Sequence, residues 1–200
     1  SRHSDTPRMD TPHARRRVSL TDYDWADLID NEDRVRMLID PTSPYSQAAA
    51  NAMGRAMDDV ILTALNGVAN TGVSGGDSTS LAAANKVAVT IQDGSSSGNA
   101  GLNTAKLRAA RKALMSGEVS MDEELYCAVN AQMMDNLLQT TEIGSFDYNS
   151  VKALVRGEID TWMGFKFIHT ERIKTIIAGG TDQAAMCWAK SGVELGIGSD

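Results

Sequence analysis

Few residues in this chain stand at spacings that could do chemistry. Gly72-Val73-Ser74-Gly75-Gly76 fits G-x-S-x-G, the pattern that exposes a nucleophilic serine at a strand-to-helix turn. Here a helix is expected before Ser74 and a loop after it, which is the wrong setting, and His169 is the only downstream histidine that could act as its base. Asp22, Asp24, Asp30 and Asp33 fall at positions one, three, nine and twelve of a calcium loop. Position six of that loop needs glycine for its turn and is Asp27 instead, and position five is Ala26. The glycine-rich runs lack the lysine of a phosphate-cradling loop, and no G-x-G-x-x-G opens a helix. His3, His13 and His169 are scattered, and Cys127 and Cys187 read as small buried hydrophobes in strands rather than as ligands or a disulfide. Glu123 and Glu124 are adjacent, so in a strand they point opposite ways and make no acid/base dyad. No catalytic, cofactor or metal constellation survives, and the expectation is a structural protein that is not an enzyme.

Composition points the same way. The 200 residues carry a net charge of −7 with 42% hydrophobic and 22% charged residues, ordinary values for a globular chain. Net acidity argues against a dedicated nucleic-acid reader. Two cysteines do not frame a disulfide scaffold, and no apolar run approaches the roughly 20 residues a membrane span needs. The charge is nevertheless unevenly placed. Residues 1–17 carry five arginines against Asp5 and Asp10, a net of +3, and residues 18–40 carry Arg34 and Arg36 against seven acids, a net of −5. A solvated surface would explain such blocks. Complementary contacts with neighbouring copies of the chain would explain them too.

The elements that must position these residues follow from pattern. Residues 1–13 are polar with Pro7 and Pro12 and have no core of their own. Arg16 to Leu20 suits a short strand, and 33–39 alternates, with Val35, Met37 and Ile39 on one face. The two could pair as a hairpin closed by the acidic connection 21–32, and an extended hairpin needs a partner surface. Ser43 and Pro44 mark a helix start, and Ala49, Met53, Met57, Val60, Ile61, Ala64 and Leu65 form one stripe up to the stop at Asn66-Gly67. Residues 70–103 read as loop with one strand over 86–91. Helices are expected over 104–115, 131–140 and 149–156, and strands over 124–129, 162–169, 175–178 and 184–189. The class is α+β without regular βαβ alternation.

Three groups of residues carry a resemblance: Tyr23-Asp24-Trp25-Ala26, Asp40-Pro41-Thr42-Ser43-Pro44-Tyr45, and Gly54-Arg55-Ala56-Met57-Asp58-Asp59 running on to Ala64-Leu65-Asn66-Gly67. With Asp33-Arg34, and with Trp162-Met163-Gly164-Phe165-Lys166-Phe167 leading into Thr170-Glu171-Arg172-Ile173, their order resembles the major capsid proteins of tailed bacteriophages. The resemblance covers about 15–190 and implies the Hong Kong 97-type coat fold. Residues 1–14 would be an N-terminal arm and 15–40 an extended-loop hairpin. Residues 41–200 would hold the spine helix and an α+β domain with peripheral and axial parts, incomplete at its C-terminus. Coat proteins of this kind are longer, so a fragment is expected.

The function implied is self-assembly into the hexamers and pentamers of an icosahedral head enclosing double-stranded DNA. The partners would be copies of the chain, packaged DNA held without sequence readout, and scaffolding or decoration proteins. The shell would assemble in the host bacterial cytoplasm, with no membrane involved and no cofactor. Inter-subunit contacts are expected at Arg15, Arg16, Arg17, Asp22, Asp24, Trp25, Asp27, Arg34 and Arg36, with Trp25 as the anchor. A bacterial nanocompartment shell shares the fold and is the near alternative. A hydrolase using Ser74 and a calcium module around Asp22 to Asp33 are the alternatives from other classes.

Overall fold

A computed structural model describes residues 13–28, 42–92, 98–120, 122–139, 161–173 and 182–198. Two β-sheets and three α-helices make up the regular structure there, in keeping with the α+β class.

The longest element is α1, Thr42–Asn66. At 1.5 Å per residue it extends about 37 Å. It stops at Gly67, whose N–H returns to the Ala64 carbonyl at 3.2 Å. A Cβ on Gly67 would stand 2.8 Å from the Thr63 carbonyl oxygen, so no larger residue fits this exit without a shift. The chain passes directly into β2 (Val68–Thr71), turns, and returns as β3 (Asp77–Ser80), with Val68 opposite Ser80 and Thr71 opposite Asp77. Gly72 and Gly75 carry the turn at φ +88° and +70°, a backbone region that side-chain-bearing residues avoid. The two-residue strand β1 (Arg16–Arg17) adds antiparallel to the other side of β2, so the small sheet runs β1-β2-β3. The partner suggested by sequence for this strand, 33–39, lies outside the described residues.

This hairpin corrects one expectation, since the region after residue 70 was to hold a single strand over 86–91. Those residues form no strand. The Ile91 N–H turns back to the Ala88 carbonyl at 3.3 Å, the Val89 carbonyl accepts from Ala100, and the Ile91 carbonyl accepts from the Asn103 side chain at 2.9 Å. Loop partners thus satisfy the backbone groups that a sheet would have used.

The core is built on the second sheet, in the order β5-β6-β4-β7. Its strands are β4 (Leu125–Val129), β5 (Thr161–Trp162), β6 (Phe165–His169) and β7 (Met186–Ala189). Strands β4 and β6 run parallel, and the other pairs run antiparallel. The stretch expected as one strand over 162–169 is a hairpin. Met163 and Gly164 form its two-residue turn with φ of 52° and 86°, the geometry that suits the twist of tight hairpins. Arg111 steadies the turn by donating from Nη1 to the Met163 carbonyl at 3.1 Å.

Helix α2 (Thr104–Ser116) begins where Asn103 accepts from the Lys106 N–H at 2.9 Å, and α3 (Ala131–Leu138) begins where Asn130 accepts from the Met133 N–H at 2.8 Å. Both caps satisfy an orphan N–H of the first turn. Leu107 and Leu137 project from these helices into a core with Leu102, Cys127, Val129, Met133, Phe165 and Ile173. Leu107, Leu137 and Phe165 are essentially without solvent contact.

Strand alternation sends Leu125, Cys127 and Val129 to the side packed with the helices. Ala128 joins a smaller cluster with Met186 and Leu62, against which Trp188 and Leu65 pack. The C-terminal end of α1 therefore seats on the other side of the sheet. A paired contact reinforces it: Arg172, just after β6, donates from Nε to Asp59 Oδ1 at 2.7 Å and from Nη2 to Oδ2. Leu62 is the buried residue of α1, whereas Met57 and Val60, expected on the inward stripe, are exposed. The C-terminal end of α1 meets the sheet, and there the contact turns Leu62 inward. The expected helix 149–156 and strand 175–178 lie outside the described residues.

Candidate assembly surface

The segment 13–28 is exposed throughout. β1 holds it at one end, with Arg16 opposite Thr71 and Arg17 opposite Asn70. Gly75 allows this approach, because a Cβ there would come within 2.5 Å of the Arg17 Cβ. Further on, Leu20 lies by the C-terminal stretch, where a Cβ on Gly198 would meet its Cδ1 at 3.1 Å. Beyond residue 17 the segment forms no helix or strand, yet it carries Val18, Leu20, Tyr23, Trp25 and Leu28. Val18 is 76% exposed and Leu28 94% exposed, so much of this apolar surface stands open among the described residues. Exposed apolar surface gathered in this way makes the segment a candidate interaction site.

Of the residues singled out by charge, Arg15, Arg16, Arg17, Asp22, Asp24, Trp25 and Asp27 all lie on this segment. Asp27 accepts from the Leu28 N–H at 2.8 Å, a local turn contact. Among the described residues, no ion pair joins the three arginines to Asp22, Asp24 or Asp27. Arg34 and Arg36 lie outside the described residues. Charge reasoning missed α1, on which Tyr45, Met57 and Val60 are further exposed apolar side chains. Its signal in the sequence was the helix's unusual length, with more apolar surface than one end can bury.

The sites weighed for chemistry are not brought together among the described residues. Ser74 occupies the turn between β2 and β3, so the strand-to-helix elbow of a hydrolase is absent at this motif. His169 belongs to the other sheet, with Nε2 3.0 Å from Glu171. The described part of the acidic segment, 22–28, is an exposed irregular stretch. Glu123 and Glu124 have separate roles. Glu123 accepts from the Ser191 N–H at 2.6 Å, which lowers its pKa. Glu124 accepts from Lys166 and from the Tyr126 hydroxyl, with Lys190 Nζ 3.5 Å away. The Lys166 hydrogen bond, with help from Tyr126 and the two lysine charges, holds the Glu124 carboxyl down to about 2. A carboxylate so well compensated is a poor general base. The cluster crosslinks β4, β6 and the segment after β7, and Tyr126 stacks on Trp188 with ring centroids 6.0 Å apart.

An α+β subunit with a well-filled sheet core and an apolar segment left on its surface has the profile of a structural building block. The chain belongs to the phage capsid protein family, whose family model matches residues 1–200. Comparison with curated proteins and with solved structures finds no match. Membership identifies a structural protein of the phage capsid. Among the described residues, no helix is long and apolar enough to cross a membrane.

Proposed function

We propose that this chain is the major capsid subunit of a tailed-phage head, with the Hong Kong 97-type fold. In this reading it assembles into hexamers and pentamers of an icosahedral shell around double-stranded DNA, within the host bacterial cytoplasm. Residues 1–14 act as the arm, 15–40 as the extended loop, α1 as the spine helix, and the α2/α3 sheet unit as the shell wall. The observation that carries the reading is the uncovered apolar run Val18, Leu20, Tyr23, Trp25 and Leu28 on a chain of capsid family.

The mechanism is geometric. The extended loop lies over a neighbouring subunit, which covers Trp25 and sets Arg15, Arg16, Arg17, Arg34 and Arg36 against acids of the next copy, with Asp22, Asp24 and Asp27 answering in the same way. Each exposed ion pair contributes about 1 kcal/mol or less. A closed shell repeats the contact many times, and simultaneous engagement multiplies weak terms. DNA is held without base readout, and scaffolding or decoration proteins complete the assembly. Negative-stain microscopy of the full-length protein expressed alone tests the proposal. Capsomer rings or closed particles are expected. A field without either, from protein that sediments as a compact monomer at high concentration, refutes it.

A further inference from the structure

The chain's two cysteines take no part in the assembly surface. Cys127 on β4 and Cys187 on β7 are directly opposed in an antiparallel pair. Both are free thiols, and their sulfurs share a hydrogen bond at 3.4 Å. Directly opposed residues of an antiparallel ladder hold their Cα atoms about 4.5–5.5 Å apart. A disulfide spans roughly 4.4–6.8 Å between Cα atoms, so the strands need not move to be bridged. Cys127 is fully buried in the core beside Val129 and Phe165, and Cys187 is half-buried at its margin. Two sulfurs in contact, one of them reachable from solvent, form a built dithiol rather than two separate core hydrophobes.

We propose that Cys127 and Cys187 are a modification site, closing to an intrachain disulfide when the protein meets a small organic disulfide such as oxidised glutathione. Cys187 loses its proton and its sulfur attacks one sulfur of the oxidant. A mixed disulfide forms and one small thiolate leaves, taking up a proton as a thiol. Cys127 then loses its proton and attacks Cys187 Sγ. The protein disulfide forms and the second small thiol departs. Two protein sulfurs are oxidised, the two oxidant sulfurs are reduced, and both protons end on the released thiols. The hydrogen bond of the Cys127 thiol with Cys187, together with burial, pushes the Cys127 thiol well above its ordinary range and keeps it protonated, so the half-buried Cys187 is the point of entry. The bridge would tie β7 to β4 across 60 residues of sequence. In the chain-entropy picture it raises the melting temperature on the order of 10 °C. Disulfides persist outside reducing cytosol. The timing that follows, reduced during synthesis and oxidised in a released particle, rests on the proposed shell function, whereas the chemistry does not.

The test uses the purified, unassembled full-length chain incubated with oxidised glutathione. It is then denatured, alkylated and weighed intact, so a failure of shell assembly leaves the result unaffected. The expected product is a monomer lighter by two hydrogen atoms, with neither cysteine alkylated and with a raised melting temperature. C127S should instead stop at a stable glutathione adduct on Cys187, and C187S, which spares the buried position, should show no rise in melting temperature. Wild-type protein that keeps both thiols alkylatable, stops at the adduct, or crosslinks between chains overturns the proposal, and that readout needs no variant to fold.

Discussion

The α2/α3 sheet unit and the segment 13–28 solve opposite problems. In the sheet unit the large apolar side chains on the helix side pack into one cluster, and Leu107, Val129, Leu137 and Phe165 are closed off from water. In 13–28 the apolar residues are as frequent, yet they lie on backbone that belongs to no sheet beyond β1. Burial of a side chain such as Leu or Phe is worth about 1.5–3 kcal/mol. The sheet unit has that stabilisation already, while the segment keeps it in reserve until something covers it. Helix α1 bridges the two regimes, with its end seated through Leu62 and the Asp59–Arg172 pair, and with Tyr45, Met57 and Val60 exposed. One sequence thus closes off part of its apolar surface and leaves another part open.

Mutations should separate the two regions cleanly. Phe165→Ala removes a fully buried ring from the sheet core and should cost about 3–5 kcal/mol in urea unfolding of the unassembled chain. Trp25→Ala should leave that unfolding free energy within about 0.5 kcal/mol. Its effect should appear in association instead, as a loss of about 2 kcal/mol in a concentration series followed by light scattering. A Trp25 variant that unfolds as readily as the Phe165 variant would erase the distinction. Asn130→Ala deletes the α3 cap and should cost about 1 kcal/mol by thermal melting, without a separate effect on association.

The smallest effect concerns acid. The Glu124 carboxyl titrates at about 2 in the folded chain, below its ordinary value of 4.5. Its stabilisation is therefore complete above pH 4.5 and is lost as pH falls toward 2. Glu124→Gln should flatten the acid limb of stability across that window and leave neutral-pH association unchanged. A pH titration of melting temperature checks it.

Sequence made the helices legible because their ends are written locally. The Asn66-Gly67 stop closes α1 where the pattern expects, Asn103, Asn130 and Gly117 stand at the ends of helices whose ranges the pattern expects, and the alternation in 125–129 fixes β4 and its inward face. The hairpin 68–80 was hidden because β3 is Asp-Ser-Thr-Ser, exposed throughout, with no apolar alternation to betray it. The reverse error arose at 86–91, where Val87, Val89 and Ile91 alternate as a strand does but the backbone is satisfied by Ala100 and Asn103. The inward stripe of α1 holds at Ala49, Met53, Ile61 and Leu65, which are half-buried, and fails at Met57, Val60 and Ala64, because a periodic pattern cannot tell an intrachain partner from a neighbouring one. The candidate surface was legible as charge blocks and an unsupported Trp25. Its exposure could not be read from sequence, because it depends on the sheet core being filled by other residues.

Hydrogen–deuterium exchange of the 13–28 region, compared between assembled and unassembled protein, tests most directly whether neighbours complete this surface. The account predicts rapid exchange in the free subunit and strong protection on assembly, while β4 and α3 remain protected in both states. Equal, rapid exchange of 13–28 in the two states would contradict it.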